Sequence, residues 1–271
     1  MTKIIFLCNW GETPKQLLTR YSNQTPNKSG VWGDIVGVDN FDDADVYIVL
    51  EGYGSPLPQD KTIFVKREPE FINKNKQPYK HTISWEDTNC GITWWLNKSY
   101  DDLKNLPYPD KTKKVSCVVS GKHQHRVNYV KLLFNGDSPI DLYGRHHDKN
   151  YYGENYKGEL NYDGKCKLRG LIDYEYSIVL ENSQEKNYWT EKLADAYLSW
   201  CIPLYWGCPN INEYFPEGSY HLLDMNSNNP IGDVNNIINK PVDIESLTKA
   251  RNIVLDSYNI WEVINNKIKE L

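Results

Sequence analysis

The chain has 271 residues, 39% of them hydrophobic and 25% charged, with a formal net charge of −5. That length is enough for one large or two small cores, and an acid excess with dispersed basic residues argues against a broad nucleic-acid face. No apolar run approaches the roughly 20 residues of a membrane span, and the opening MTKIIFLCNW is too short and wrongly flanked for a signal peptide, so a cytoplasmic protein is expected.

In chain order, residues 3–8 predict a first strand ending in the turn Asn9, Trp10, Gly11. The run at 46–50 predicts a second strand, ending in Glu51, Gly52, Tyr53, Gly54, and 62–65 a third. Each is apolar on successive residues, as in parallel strands covered by helices on both faces. LPYPDKTKK, residues 106–114, has two prolines, charge and no apolar periodicity; it is the expected linker between two α/β halves, its KTKK cluster solvated. The second half restarts with a strand at 115–119. At 176–207 two apolar runs enclose a polar loop and an amphipathic segment. Ile178, Val179 and Leu180 form a strand, Leu193, Ala196, Tyr197 and Trp200 fall at helical spacing from Thr190 onward, and 202–206 is the next strand, stopped by Gly207. A parallel βαβ unit places its first loop at the carboxyl end of the sheet, where ligands of open α/β folds sit. Backbone N–H groups and Lys192 then converge where an anion can bind. A short strand at 220–223, a polar Asn-rich loop, and helices near 244–256 and 260–271 complete the pattern.

Six cysteines, Cys8, Cys90, Cys117, Cys166, Cys201 and Cys208, form no CxxC pair, which predicts reduced and mostly buried thiols. The histidine pairs His123/His125 and His146/His147 lack a Cys or carboxylate at matching spacing, so no metal site is expected.

The order Glu181, Asn182, Ser183, then Tyr188, Thr190, Glu191, Lys192, then Asp195, Ala196, Tyr197, Ile202, Pro203, Tyr205, Trp206, Gly207 resembles the donor-site signature of the α1,3/α1,4-fucosyltransferases. Upstream, KKVSCVVSGKHQHRVNYVKLL, followed by IDLYGR, is similar to the strand, loop and helix that precede that signature. The resemblance is firm over roughly residues 110–225 and loose in the first half. It implies a GT-B architecture, two Rossmann-like doubly wound domains facing a cleft: an acceptor-side domain at 1–108, a sugar-nucleotide domain at 109–258, and a last helix at 259–271 crossing back onto the first. It further implies inverting transfer of fucose from GDP-fucose to a glycan hydroxyl, with no cofactor, no metal and no nucleic-acid partner. Animal and plant members carry an amino-terminal membrane anchor, so its absence here points to a bacterial or viral origin. These 271 residues show none of the basic tail and heptad repeats that some bacterial members carry, so the resemblance implies no dimerisation through repeats.

Inverting transfer needs a base for the acceptor hydroxyl, cations for the departing diphosphate, and stabilisation of an oxocarbenium-like sugar. Lys192, a point charge, and Arg126, a planar fork, are the diphosphate candidates; the plain alternative is a pair of surface charges. By resemblance Glu191 contacts the donor and stabilises developing positive charge, although a carboxylate in any first helical turn complements the dipole. Asn182 and Tyr188 are assigned to donor binding against a turn and a core role. For the base, Glu68 follows the third strand, with Glu51, Glu70 and Glu86 as rivals; all four are also ordinary surface carboxylates by type. Trp10 is the candidate acceptor contact. A competing reading takes Asp43, Ala44, Asp45 for a metal-binding Asp-x-Asp, but the pair precedes its strand and reads as a strand-entry turn. A non-catalytic carbohydrate-binding or nucleotide-binding module is the remaining alternative.

Overall fold

The structure, a computed structural model, describes residues 1–69, 78–86, 93–134, 137–160 and 167–271. Glu70, Cys90 and Cys166 lie outside them. The chain splits into two compact units: Met1–Thr93 with Lys98–Asn105 and Leu255–Leu271, and Trp94–Asn97 with Leu106–Val254.

The first unit runs β1 (Thr2–Cys8), α1 (Pro14–Ser22), β2 (Val31–Trp32), β3 (Ile35–Gly37), β4 (Val46–Leu50), β5 (Thr62–Lys66), β6 (His81–Ser84) and α2 (Tyr100–Lys104). Its sheet has the order β2-β3-β1-β4-β5-β6. Every ladder is parallel except the β2–β3 hairpin. Alternate side chains explain the continuous apolar runs. Ile4, Phe6, Ile48, Leu50, Ile63 and Val65 pack with Leu17 and Tyr21 of α1 on one face, while Ile5, Leu7, Val49 and Phe64 fill the other, so both faces of each strand are buried. A capping box starts α1: Thr13 Oγ1 accepts from the Gln16 N–H and the Gln16 side chain accepts from the Thr13 N–H.

The second unit runs β7 (Lys113–Val118), α3 (Gln124–Leu133), β8 (Ile140–Tyr143), α4 (Lys149–Tyr152), β9 (Tyr156–Gly158), β10 (Tyr174–Leu180), α5 (Glu191–Leu198), β11 (Ile202–Trp206), β12 (His221–Leu222), α6 (Pro230–Ile238) and α7 (Ile244–Asn252). After a π-helical turn, α8 (Ile260–Lys269) returns to the first unit. There Ile260, Trp261 and Ile264 join the core around Phe6, and the Trp261 indole donates to the Tyr21 carbonyl at 2.8 Å.

The second sheet, β12-β11-β10-β7-β8-β9, is parallel throughout. Counted from β7, this is the strand order of dinucleotide-binding folds, and the order reverses between β7 and β10. In the first unit the parallel strands, counted likewise, reverse between β1 and β4. Ligand sites of open α/β sheets form at the carboxyl ends of such strand pairs. The loops that follow β7 and β10, and those that follow β1 and β4, are therefore the places to look.

Two expectations are corrected. The KTKK cluster is exposed at Thr112, Lys113 and Lys114 but is no linker: Lys113 and Lys114 open β7 and meet Asp141 and Glu175, and the half-buried Lys111 ammonium donates to the carbonyls of Ile172 and Ser199, each at 2.9 Å. The Asn-rich loop contains α6, where Asn229 caps the Gly232 N–H and Pro230 occupies the first turn. An Asn-Pro pair followed by Ile231, Val234 and Ile238 is a helix start that the polar composition concealed. Among the described residues, Cys8, Cys117, Cys201 and Cys208 are buried free thiols. Burial pushes Cys117 up to about 12, Arg126 pulling weakly the other way.

Candidate active site

The loop from β10 to α5 is organised by one buried carboxylate. Glu181, immediately after β10, is fully buried. Its Oε1 accepts from the Thr190 N–H at 2.8 Å and its Oε2 from the Thr190 hydroxyl at 2.7 Å, with the Lys192 ammonium 3.3 Å from the same oxygen. Thr190 in turn caps α5 by accepting from the Lys192 N–H. A single side chain thus joins the two ends of the excursion that carries Asn182 and Tyr188. Room for it comes from Gly207 at the end of β11, where a Cβ would stand 2.5 Å from Glu181 Cγ. Burial raises the Glu181 carboxyl above the usual range despite the opposing pull of Lys192 and the donors on Thr190.

Lys192 also lies 3.4 Å from Glu191 Oε1. Burial acts against the Glu191 charge, but Lys192 and Lys167 outweigh it and hold this carboxyl down at about 2. One turn further along α5, Asp195 is fully buried, paired with Lys167 and accepting from the Trp95 N–H at 2.9 Å. Burial moves its carboxyl up to about 6 against those partners. Asn187 pins the loop to the start of the next segment: its N–H donates to Asn210 Oδ1 and its Oδ1 accepts from Asn210 and the Tyr214 hydroxyl.

From the neighbouring strand, β7, the chain turns into α3 through a tightly held loop. Gly121 donates to the Arg145 carbonyl, and a Cβ on Gly121 would meet the His146 carbonyl oxygen at 2.4 Å. This seats Arg126, only 4% exposed, beside β10, where it donates to the Leu180 carbonyl at 3.3 Å. Its Nε is buried without a hydrogen-bond partner among the described residues. Burial lowers the guanidinium, Glu181 being the strongest opposing charge, and an arginine stays cationic regardless.

Arg126, Glu191 and Lys192 are thus brought together around Glu181, at the point where the strand order reverses. Asn182 stands beside them, half-buried, its Oδ1 shielded and without a partner among the described residues. Tyr188 is fully buried, which puts its ring in the core, within electrostatic reach of Arg126. The sequence reading overlooked Glu181 as the hub, although a carboxylate directly after a buried strand is a signal in itself. His125, weighed in the sequence only as a metal ligand, places its ring 5.7 Å from that of Trp206.

In the first unit the ends of β1, β4 and β5 gather Trp10, Glu51 and Arg67. Glu51 takes a left-handed backbone, φ 57°, and its Oε1 accepts from the Arg67 N–H at 2.7 Å and Nε at 3.3 Å. The Arg67 guanidinium stands 5.9 Å from the Trp10 ring, which is 41% exposed and donates to Glu12. Of the base candidates, Glu51 is engaged by Arg67 and Glu86 by Lys66 at 2.6 Å. Glu68 is half-buried, one carboxylate oxygen shielded from solvent. Asp45 accepts from the Lys3 N–H at 2.8 Å at the amino-terminal edge of β4, the strand-entry role the sequence suggested and the wrong end of the sheet for a ligand site.

Residues 108–239 match the C-terminal domain of glycosyltransferase family 10 (fucosyltransferase). The chain thus carries a glycosyltransferase family 10 domain over that span. The family 10 match spans β7 to α6 and so contains the whole Glu181 cluster. An α-(1,3)-fucosyltransferase of Helicobacter pylori is 38% identical over 223 residues, 77% of this chain and 41% of that protein; the chain thus spans about two fifths of that relative's length. A solved α1,3-fucosyltransferase has the same fold, covering 99% of this chain and 90% of its own at 16% identity and a TM-score of 0.53. A DNA-modifying β-glucosyltransferase, solved with and without uridine diphosphoglucose, covers both chains fully at 14% identity and a TM-score of 0.54. The two α/β units of this chain are therefore of the GT-B type.

Proposed function

We propose that this protein is an inverting fucosyltransferase that transfers fucose from GDP-fucose to a glycan hydroxyl. The reading is carried by the convergence of Arg126, Lys192 and Glu191 on the strand-order reversal of a sheet with dinucleotide-binding order, inside the family 10 domain.

On this reading the second unit binds the donor. Arg126 and Lys192 neutralise the diphosphate as the bond from sugar C1 to phosphate oxygen breaks, and the amino terminus of α5 adds its dipole. Glu191, held ionised by its lysines, lies against the sugar and stabilises the cationic character that develops there. Asn182 offers the donor an unsatisfied oxygen, and Tyr188 supports the site from the core. In the first unit Glu68 accepts the proton of the acceptor hydroxyl as its oxygen bonds to C1, and GDP departs with the electron pair. Trp10, the exposed ring beside Arg67, is the acceptor platform. The protein acts on soluble substrates in the cytoplasm and requires no added cofactor.

Transfer from GDP-fucose to a panel of glycan acceptors, run beside a calorimetric titration with GDP, tests this reading. Glu68→Gln is expected to remove nearly all turnover, about 10²-fold or more, with donor affinity little changed. Unaltered turnover would remove Glu68 from the reaction. GDP binding without turnover on any acceptor would make the protein a binder, and activity lost to EDTA and restored by manganese would return the metal-dependent reading.

A further inference from the structure

Helix α3 begins against the usual electrostatic rule. Amino-terminal turns attract acids, yet α3 opens with Gln124, His125 and Arg126 after Lys122 and the cap residue His123, has no acid in its first turn, and His123 makes no capping hydrogen bond. A second observation points the same way: Arg126, more than nine-tenths buried, bonds the Leu180 carbonyl through Nη1 but keeps an Nε with no hydrogen-bond partner among the described residues. The imidazoles of His123 and His125 lie 6.1 Å apart, centroid to centroid, both within electrostatic reach of Arg126, with His123 half-buried and His125 exposed.

The charges that face them are nearly all cationic. His123 meets Arg126 and His125 on α3, Lys192 at the start of α5 and Lys122 on the preceding loop. His125 meets Arg126 and, at the end of β10, the backbone of Glu181. The Glu181 carboxylate itself is occupied by Thr190 and Lys192, and the Glu191 carboxylate by Lys192.

We propose that His123 and His125 belong to the diphosphate site and take up protons from solvent as the sugar nucleotide binds, so that donor affinity rises as the pH falls from 8 toward 6. The inference rests on the donor-site reading above. In the empty site burial, then Arg126, holds both imidazoles below their ordinary value, so they are neutral at pH 7. A diphosphate placed among them reverses the sign of the local field and favours imidazolium. Linkage then fixes the direction: a ligand that raises a group's affinity for protons binds more tightly as protons become available.

The experiment is calorimetry on the intact chain with GDP-fucose, whose diphosphate diester does not titrate in this range, in PIPES and in Tris at pH 7. The difference in apparent enthalpy gives the protons taken up. Wild type is expected to take up a substantial fraction of a proton and to bind about tenfold more tightly at pH 6 than at pH 8, as follows when the bound diphosphate makes imidazole about tenfold more avid for its proton. The double variant His123→Gln, His125→Gln should lose both the uptake and the pH slope, and a variant that keeps either overturns the histidine role. Binding of GDP-fucose by wild type without uptake overturns the histidine role and leaves the donor reading standing. Uptake with UDP-glucose but no binding of GDP-fucose does the reverse. Binding of neither overturns both.

Discussion

Thr190 is the residue through which the candidate site is most cleanly perturbed, because one hydroxyl serves three partners. It donates to Glu181 Oε2 at 2.7 Å, accepts from the Lys192 N–H at 3.3 Å as the cap of α5, and lies 3.0 Å from the Lys192 ammonium. Thr190→Val keeps the shape and deletes the oxygen. Loss of an N-cap costs about 1 kcal/mol, and depriving a charged acceptor of a donor costs roughly 1.5–3 kcal/mol. Since Glu181 keeps the Thr190 N–H and Lys192, and one atom supplies both effects, the sum is about 2–3 kcal/mol rather than the full total. For a unit of this size that lowers the midpoint of thermal unfolding by about 4–12 °C. Differential scanning fluorimetry on Thr190→Val and Thr190→Ser, with and without GDP, measures it. The serine variant retains the hydroxyl and should stay within about 0.5 kcal/mol of wild type. A valine variant that melts within about 2 °C of wild type, or a serine variant that falls as far as the valine, would refute the claim that the hydroxyl joins the loop ends.

Lys111→Met should destabilise the second unit by about 2 kcal/mol, because the carbonyls of Ile172 and Ser199 lose their shared donor; urea unfolding reads this as a lower midpoint at unchanged slope. Asp195 gives a pH signature. Burial raises its folded-state pKa to about 6, above its unfolded value of 3.8, so the folded state binds the proton more tightly. This carboxyl penalises the fold above pH 6, and the penalty is relieved as pH falls from 6 toward 4. In denaturant titrations at several pH values, Asp195→Asn, which can still accept from the Trp95 N–H, should flatten the stability profile over that window; an unchanged slope would assign it elsewhere.

What the sequence disclosed follows from burial and contiguity. β1, β4 and β5 are covered on both faces, so each appears as a solid apolar run, and the β10–α5–β11 unit is legible because its strand, cap, first turn and second strand are consecutive. β6 escaped because His81 and Thr82 are half-exposed and polar, and β2 and β3 are too short to show a period. Within the site, Glu191 and Lys192 are local to one helical turn and could be read. The meeting of Glu181 with Gly207 and of His125 with Trp206 depends on parallel pairing of β10 with β11 and of β7 with β10, which no linear spacing encodes.

The same geometry orders the cations on the donor-site reading. A buried ion pair is weak support for a fold, since apolar residues of equal volume often serve as well; that an acidic residue, Glu181, is fully buried at the carboxyl end of a central strand therefore asks for a reason beyond stability. Lys192 rests between two carboxylates, 3.3 Å from Glu181 and 3.4 Å from Glu191, so a phosphate must compete for it. Arg126 has a buried Nε with no hydrogen bond to give up among the described residues and needs no such exchange there. An arriving diphosphate thus gains most from Arg126 first, and Lys192 follows by turning from Glu181 to the phosphate. That exchange leaves Glu181 held by Thr190 alone, which is why the hydroxyl of Thr190 should matter more to the occupied site than to the empty one.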